Sequence, residues 1–135
     1  MSKSDNKLKH LEFIQLTIVR MAANSFLLKA WGVTIVAALF AISVGSTKKY
    51  LLIAYLPLIS FWVLDGYYLH QERLFRGLYD IVRETKEQNI SFSLDTSAVD
   101  GINSWTRTIF SKTLIWFYGS ILLVLMILTY FLLFN

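Results

Sequence analysis

The feature that most constrains this fold is an uncharged, strongly apolar segment near the C-terminal end of the sequence. It covers residues 113–134 (TLIWFYGSILLVLMILTYFLLF). A helix of about 20 apolar residues spans the roughly 30 Å hydrocarbon core of a bilayer. Because backbone polar groups in lipid must pair internally, a helix is the conformation expected for such a segment. The sequence therefore predicts a transmembrane helix here.

Two further apolar segments precede this one. Residues 26–44 contain Lys29 as their only charge, and residues 50–69 are interrupted by Pro57 and Asp65. The charged fraction of the whole chain is 16%, against roughly 25% in soluble domains. We therefore predict an all-α integral membrane protein with three transmembrane helices. There is no cysteine, which excludes disulfides and thiolate metal sites within the chain.

The link between the first two spans predicts a tight hairpin. Residues 45–50 read GSTKKY, where Gly45 suits a helix end and polar residues suit a turn. Eleven of the 13 Lys and Arg residues lie outside this link, before or at the start of span one or between spans two and three. Basic residues collect on the cytoplasmic side. The N-terminus is therefore predicted to be cytoplasmic, with the C-terminus on the far side and no nucleic-acid partner.

The segments next to the first two spans have helical periodicity. Within residues 7–24 and 70–88, apolar residues recur at three- and four-residue spacing. They are Leu11, Ile14, Ile18 and Met21 in the first segment, and Leu74, Leu78 and Ile81 in the second. We expect both to extend the hairpin into the cytoplasm as amphipathic helices, and we expect no cleaved signal peptide. The alternative for residues 7–24 is a helix lying on the membrane surface.

Residues 89–112 break this pattern. Apolar residues alternate with polar ones at Ile90, Phe92 and Leu94, which predicts a short strand or an extended loop. Residues 95–97 (DTS) are good N-caps for a short helix leading into the third span.

Asp65 is the acidic residue inside an apolar run, and Lys29 is its predicted partner. Each lies 18 residues from Thr47, near the middle of the hairpin, hence about 27 Å from the turn at 1.5 Å per residue. Both are then at similar depth near the cytoplasmic face. A charge in a membrane segment demands a partner. We predict an ion pair that fixes the register of the two arms, in preference to the alternative of a proton- or ion-handling carboxylate.

Other residues are weaker candidates. Pro57 removes a backbone hydrogen bond near the middle of span two and is a candidate hinge, although a packing role is favoured. Gly119 and Ser120 are the smallest residues of span three and are candidates for a close helix contact.

The sequence does not suggest an enzyme. His10 and His70 are isolated and lack ligand spacing for a metal. No nucleophile elbow or phosphate-cradling glycine loop is present in the sequence. We therefore expect no catalysis, no cofactor and no metal.

Two blocks carry a resemblance to known proteins. Residues 10–31 (HLEFIQLTIVRMAANSFLLKAW) and 64–80 (LDGYYLHQERLFRGLYD) resemble a family of small bacterial membrane proteins associated with antiviral-defence or nucleotide-signalling loci. The resemblance covers the first two spans and their extensions. It implies a bacterial inner-membrane protein that perturbs the bilayer or its potential when triggered. It transfers no catalytic or binding residue.

Three functions therefore come into consideration. The first is a homo-oligomeric membrane effector in contact with lipids and triggered by a cytosolic protein or signal. The second is a scaffold that anchors a cytosolic partner. The third is a holin-like channel, which is disfavoured because no span carries a selectivity filter or a polar stripe.

Overall fold

The computed structural model describes residues 3–44, 50–100 and 104–134, and α-helices dominate these ranges. The helices are α1 (Lys3–Val44), α2 (Tyr50–Ile53), α3 (Tyr55–Glu84), α4 (Ser97–Asp100), α5 (Trp105–Ile109) and α6 (Lys112–Phe134). A 3₁₀ turn at Glu87–Asn89 follows α3. Three helical stretches, within Ser4–Val44, Leu51–Glu84 and Lys112–Leu132, are long and apolar enough to cross a membrane. The predicted all-α fold class with three such helices is confirmed.

The first helix continues without interruption from the amphipathic segment into the first span. With 42 residues, α1 is about 63 Å long at 1.5 Å per residue. This is about twice the thickness of a hydrocarbon core. The continuity of α1 favours an extension of the span over a separate surface helix, whereas the cytoplasmic location of this end stays a prediction from charge.

The turn of the hairpin, including Gly45 and Thr47, lies outside the described residues, and α2 begins just after it. A break at Ala54 separates α2 from α3, where the Ala54 amide donates to the Leu51 carbonyl at 3.3 Å. Pro57 accounts for this break, because its ring clashes with the carbonyl four residues earlier. Pro57 thus lies in the first turn of α3 and not in the middle of an uninterrupted helix.

Away from the spans, α1 and α3 are joined by a small apolar core, which we call the hairpin cluster. Its buried members are Ile14, Ile18, Leu78 and Val82. The Lys7 ammonium, also on α1, donates to the Arg83 carbonyl at 3.0 Å and to the Thr85 carbonyl at 2.7 Å. A cation at the C-terminal end of a helix complements its dipole. This contact therefore fixes the end of α3 against α1.

The connection between α3 and α6 folds back along α3. Residues 90–96 carry no regular secondary structure, in line with an extended loop. The Asp95 carboxylate accepts bonds from the Ser97 amide at 2.9 Å and from its hydroxyl at 3.0 Å, which lower the pKa of Asp95. A Cβ added to Gly77 would collide with Val99 of α4. The absence of a side chain at Gly77 is what lets α4 dock closely on α3.

A second core, the span cluster, lies within the predicted membrane region. Its buried members are Val36, Ala54, Leu58, Leu114, Tyr118 and Leu125, drawn from α1, α3, α6 and the break before α3. Elsewhere α6 exposes large apolar side chains such as Trp116, Leu123 and Phe131. These are the side chains that lipid would cover.

Candidate functional site

A fully buried carboxylate lies where the three long helices meet. Asp65 of α3 has 0% of its surface exposed. Its Oδ1 accepts a short hydrogen bond from the Ser25 hydroxyl of α1. The Lys29 ammonium lies 2.5 Å from Asp65 Oδ2 and donates to Ser25 Oγ at 2.8 Å. Ser25 and Lys29 stand one turn apart on the same face of α1, so both reach the same carboxylate.

The third helix contributes Tyr118. This residue is also 0% exposed, and its ring stacks on Trp62 of α3 with a centroid distance of 5.9 Å and an interplanar angle of 7°. The Tyr118 hydroxyl interacts electrostatically with Asp65. It makes no hydrogen bond of normal geometry within the part of the chain that the structure describes. We name Ser25, Lys29, Asp65 and Tyr118 together the Asp65 centre.

Contacts on either side of Asp65 set the depth of this centre relative to the third span. One turn earlier, Trp62 Nε1 donates to the Ile109 carbonyl at 3.0 Å. At the next residue, a Cβ added to Gly66 would lie 2.6 Å from Ile109 Cγ1. Ile109 ends α5, just before α6 begins at Lys112. The Asp65 centre is therefore level with the start of the third span, the predicted cytoplasmic boundary.

Burial explains why these groups are clustered. A carboxylate without water is costly unless it is paired and hydrogen-bonded. Asp65 meets this need with one ammonium and one hydroxyl. The Lys29 side chain keeps 22% of its surface exposed, and its ammonium lies 5.9 Å from the centroid of the Phe117 ring on α6. The centre thus holds two opposite charges at a fixed register between α1 and α3.

The structure brings Lys29 and Asp65 together, but their role in coupling stays a prediction. The close helix contact at Gly119 and Ser120 stays a prediction, and among the described residues of this chain no other helix approaches Gly119 closely. The nearest neighbour of a Cβ at Gly119 would be Ile115 of the same helix, at 3.9 Å, and the Ser120 hydroxyl donates to the Phe117 carbonyl at 2.8 Å.

The two histidines lie on different helices, and both are buried. His10 packs edge-on against Phe92, with 5.5 Å between ring centroids. Burial lowers the pKa of His10, because the uncharged imidazole suits this site better than the cation. Across residues 3–44, 50–100 and 104–134, no cluster of three or more His, Cys, Asp or Glu side chains could hold a metal ion.

Sequence reasoning missed two members of the Asp65 centre, Ser25 and Tyr118, and the residue Trp62 that stacks on Tyr118. Ser25 had a usable signal, because it precedes Lys29 by four residues and so shares its helix face. Tyr118 and Trp62 had none, since their stacking depends on how α5 docks against Gly66 before α6 begins.

Three helices long and apolar enough to cross a membrane, joined by a buried ionic centre, indicate a multi-pass membrane protein. Comparisons with protein-family models, with curated proteins and with solved structures found no match.

Proposed function

We propose that this chain is a small membrane effector in which the Asp65 centre passes a signal from the cytoplasmic helices to the spans. The observation that carries this proposal is the complete burial of Asp65 at the junction of α1, α3 and α6. An ionisable side chain inside a membrane segment is energetically costly, so its presence there points to a functional role.

The long helices supply the mechanical connection. Both α1 and α3 pass from the predicted cytoplasmic region into the spans, and the hairpin cluster joins them beyond the membrane. A displacement at that end reaches Asp65 through two packed helices. A buried ion pair is either formed or broken, so it supplies the two-state element that coupling between distant sites requires.

An exposed apolar stripe on α1 gives the cytoplasmic helices a surface for association. Leu8, Leu16 and Val19 are 63%, 58% and 56% exposed, and they lie with the exposed Glu12 on one side of the extension outside the predicted span. Exposed apolar patches outside a membrane commonly mark interaction sites. The stripe supports assembly with a cytosolic partner or a second copy, before the spans perturb the bilayer or its potential.

The setting of this activity follows the resemblance of residues 10–31 and 64–80. We place the effector in the bacterial inner membrane, in antiviral defence, as a non-enzymatic homo-oligomer triggered by a cytosolic protein or signal. The same apolar stripe also favours a second function, that of a scaffold which anchors a cytosolic partner without affecting permeability.

Induced expression with a membrane-potential dye tests the proposal. We expect depolarisation only when the cytosolic proteins encoded by the neighbouring genes are co-expressed. We also expect Asp65→Asn to abolish it at an unchanged level of membrane-inserted protein. Asp80→Asn is the matched control, because Asp80 lies on the same helix but is exposed, with its Oδ1 3.5 Å from Arg83. Depolarisation by the chain alone would favour a holin-like protein, and none in any condition would favour the scaffold.

A further inference from the structure

A lateral cleft separates α1 from α6 one turn deeper in the membrane than Lys29. It is an open groove of about 300 Å³, lined by apolar side chains of both helices and by one hydroxyl. The lining residues that carry the argument are Val33, Ala37 and Phe40 of α1 and Ser120, Val124 and Leu128 of α6. All of them lie within the candidate spans.

The chemistry of the cleft limits what can fill it. A buried water needs two to four polar partners. The lining offers only the Ser120 hydroxyl, which already donates to the Phe117 carbonyl at 2.8 Å. Water is therefore a poor occupant, and an apolar group in the bilayer is a good one.

The dimensions of the cleft match one leaflet. From Ser120 to Leu128 the cleft follows eight residues of α6, or about 12 Å at 1.5 Å per residue. Half of a hydrocarbon core is roughly 15 Å. The cleft therefore has the length of an acyl chain segment that enters from one side of the bilayer.

A charge stands at the end of the cleft nearer the predicted cytoplasm. Lys29 precedes Val33 by one turn, and its ammonium lies 5.9 Å from the centroid of the Phe117 ring, which is one turn before Ser120 and Ile121. An ammonium has three hydrogen-bond donors. Within the described residues, the Lys29 ammonium donates to Ser25 Oγ and forms an ion pair with Asp65. The Lys29 side chain keeps 22% of its surface exposed, so an anion at the mouth of the cleft can approach the ammonium.

We infer that the cleft binds an anionic phospholipid of the cytoplasmic leaflet. One acyl chain lies between α1 and α6, and the phosphate lies beside Lys29. The site pairs an apolar channel with a cation at its interfacial end, which matches the polarity of a phospholipid. An apolar helix from a second copy would bring no anionic group to pair with the cation at the mouth.

Thermal unfolding of the purified, delipidated chain in detergent micelles tests this inference. Phosphatidylglycerol should raise the melting temperature by roughly 5 °C at saturation, and phosphatidylcholine with the same acyl chains by much less. Ala37→Trp fills the cleft and should abolish the difference between the two lipids. Ala38→Trp is the matched control, because Ala38 follows Ala37 on α1 and is equally classed as exposed, but does not line the cleft.

A second pair on α6 keeps the test decisive if Ala37→Trp does not fold. Val124→Trp should abolish the phosphatidylglycerol effect, whereas Ile127→Trp should preserve it, since both residues are exposed but only Val124 lines the cleft. Equal stabilisation by both lipids would overturn the inference. A cleft-filling variant that keeps the lipid effect would also overturn it. So would a cleft-filling variant whose only effect, measured by light scattering, is to convert an oligomer into monomers. Because this experiment does not measure depolarisation, it can contradict the lipid site without contradicting the proposed effector function, and the reverse.

Discussion

The two long helices that flank α3 are attached to it in different ways. α1 packs against α3 along most of its length, from the hairpin cluster to the ion pair at Asp65. α6 is held mainly through the Trp62–Tyr118 stack and the apolar contacts of the span cluster, and further along by a 3.0 Å hydrogen bond between Tyr55 and Thr129. Asp65 belongs to both attachments, because it contacts α1 directly and Tyr118 electrostatically.

This difference shows where specificity arises inside a membrane. Lipid tails are as apolar as leucine, so apolar area alone does not drive one helix onto another in a bilayer. Close packing and polar contacts at defined positions decide the arrangement. α1 has polar contacts to α3 and its end at Lys7, Ser25 and Lys29. By contrast, α6 has the Tyr118 stack near its beginning and one hydrogen bond at Thr129 further along. We therefore expect α6 to be the helix that shifts when the Asp65 centre is altered.

The largest expected effect comes from breaking the ion pair on the α1 side. Lys29→Gln leaves a fully buried carboxylate without its counter-charge and should cost about 3–5 kcal/mol of unfolding free energy. Asp65→Asn should cost less, because Lys29 is partly exposed and can turn towards the interface. Denaturant titration in detergent micelles measures both values.

The double variant Lys29→Gln/Asp65→Asn isolates the pair itself. We expect it to be clearly more stable than the sum of the two single losses predicts, because neither charge remains uncompensated. Additive losses would show that the two residues act independently, and would remove the ionic contact between α1 and α3 from this account.

The next largest effect concerns the approach to α6. Gly66→Ala places a Cβ 2.6 Å from Ile109 Cγ1 and 3.3 Å from Ile109 Cα. The backbone of α5 must then move, at a cost of about 1–3 kcal/mol typical of overpacking. Gly119→Ala is the control on α6 itself. Its nearest neighbour would be 3.9 Å away, so it should be neutral or stabilise by up to about 1 kcal/mol through helix propensity. Equal effects of the two substitutions would contradict the docking of α5 at Gly66.

A smaller effect separates the ring of Tyr118 from its hydroxyl. Tyr118→Phe keeps the stack on Trp62 and removes only the polar contact with Asp65. We expect a loss of about 1 kcal/mol or less, because the hydroxyl contributes at most one imperfect hydrogen bond. Tyr130→Phe, at a position 62% exposed, is the control. A loss as large as that of Lys29→Gln would mean that α6 depends on the hydroxyl more than on the stack.

The smallest expected effect is a pH dependence of the unfolding free energy that comes from His10 on α1. Burial lowers the pKa of His10 from its ordinary value of 6.5, so the folded chain binds this proton less readily than the unfolded chain. The contribution of His10 to the unfolding free energy is then fully present above pH 6.5 and is lost as the pH falls through the lowered pKa. His10→Leu should flatten the decline of unfolding free energy between about pH 7 and 5. Parallel slopes for both proteins would contradict the burial of a neutral imidazole against Phe92.

The sequence allowed the hairpin half of the site to be predicted, and not the half on α6. Lys29 and Asp65 were paired by counting residues from the turn, because helical rise is constant and both arms start from the same point. No such rule places Tyr118, since the loop of residues 90–96 and the close contact at Gly66 decide how α6 meets α3. The close helix contact expected at Gly119 and Ser120 stays a prediction, since among the described residues of this chain a Cβ added to Gly119 would meet only Ile115 of the same helix. Small size permits a close contact, but the face that a residue occupies depends on docking.

The measurement that tests the central claim most directly is the sidedness of the two ends of the chain. The sequence has no cysteine, so single cysteines at Glu12 and Phe134, both exposed, can be labelled without background. We predict that a membrane-impermeant thiol reagent added to intact spheroplasts modifies Phe134→Cys, and modifies Glu12→Cys only after lysis. Labelling of both positions from the same side would contradict a chain that crosses the membrane three times with its Asp65 centre at the cytoplasmic boundary.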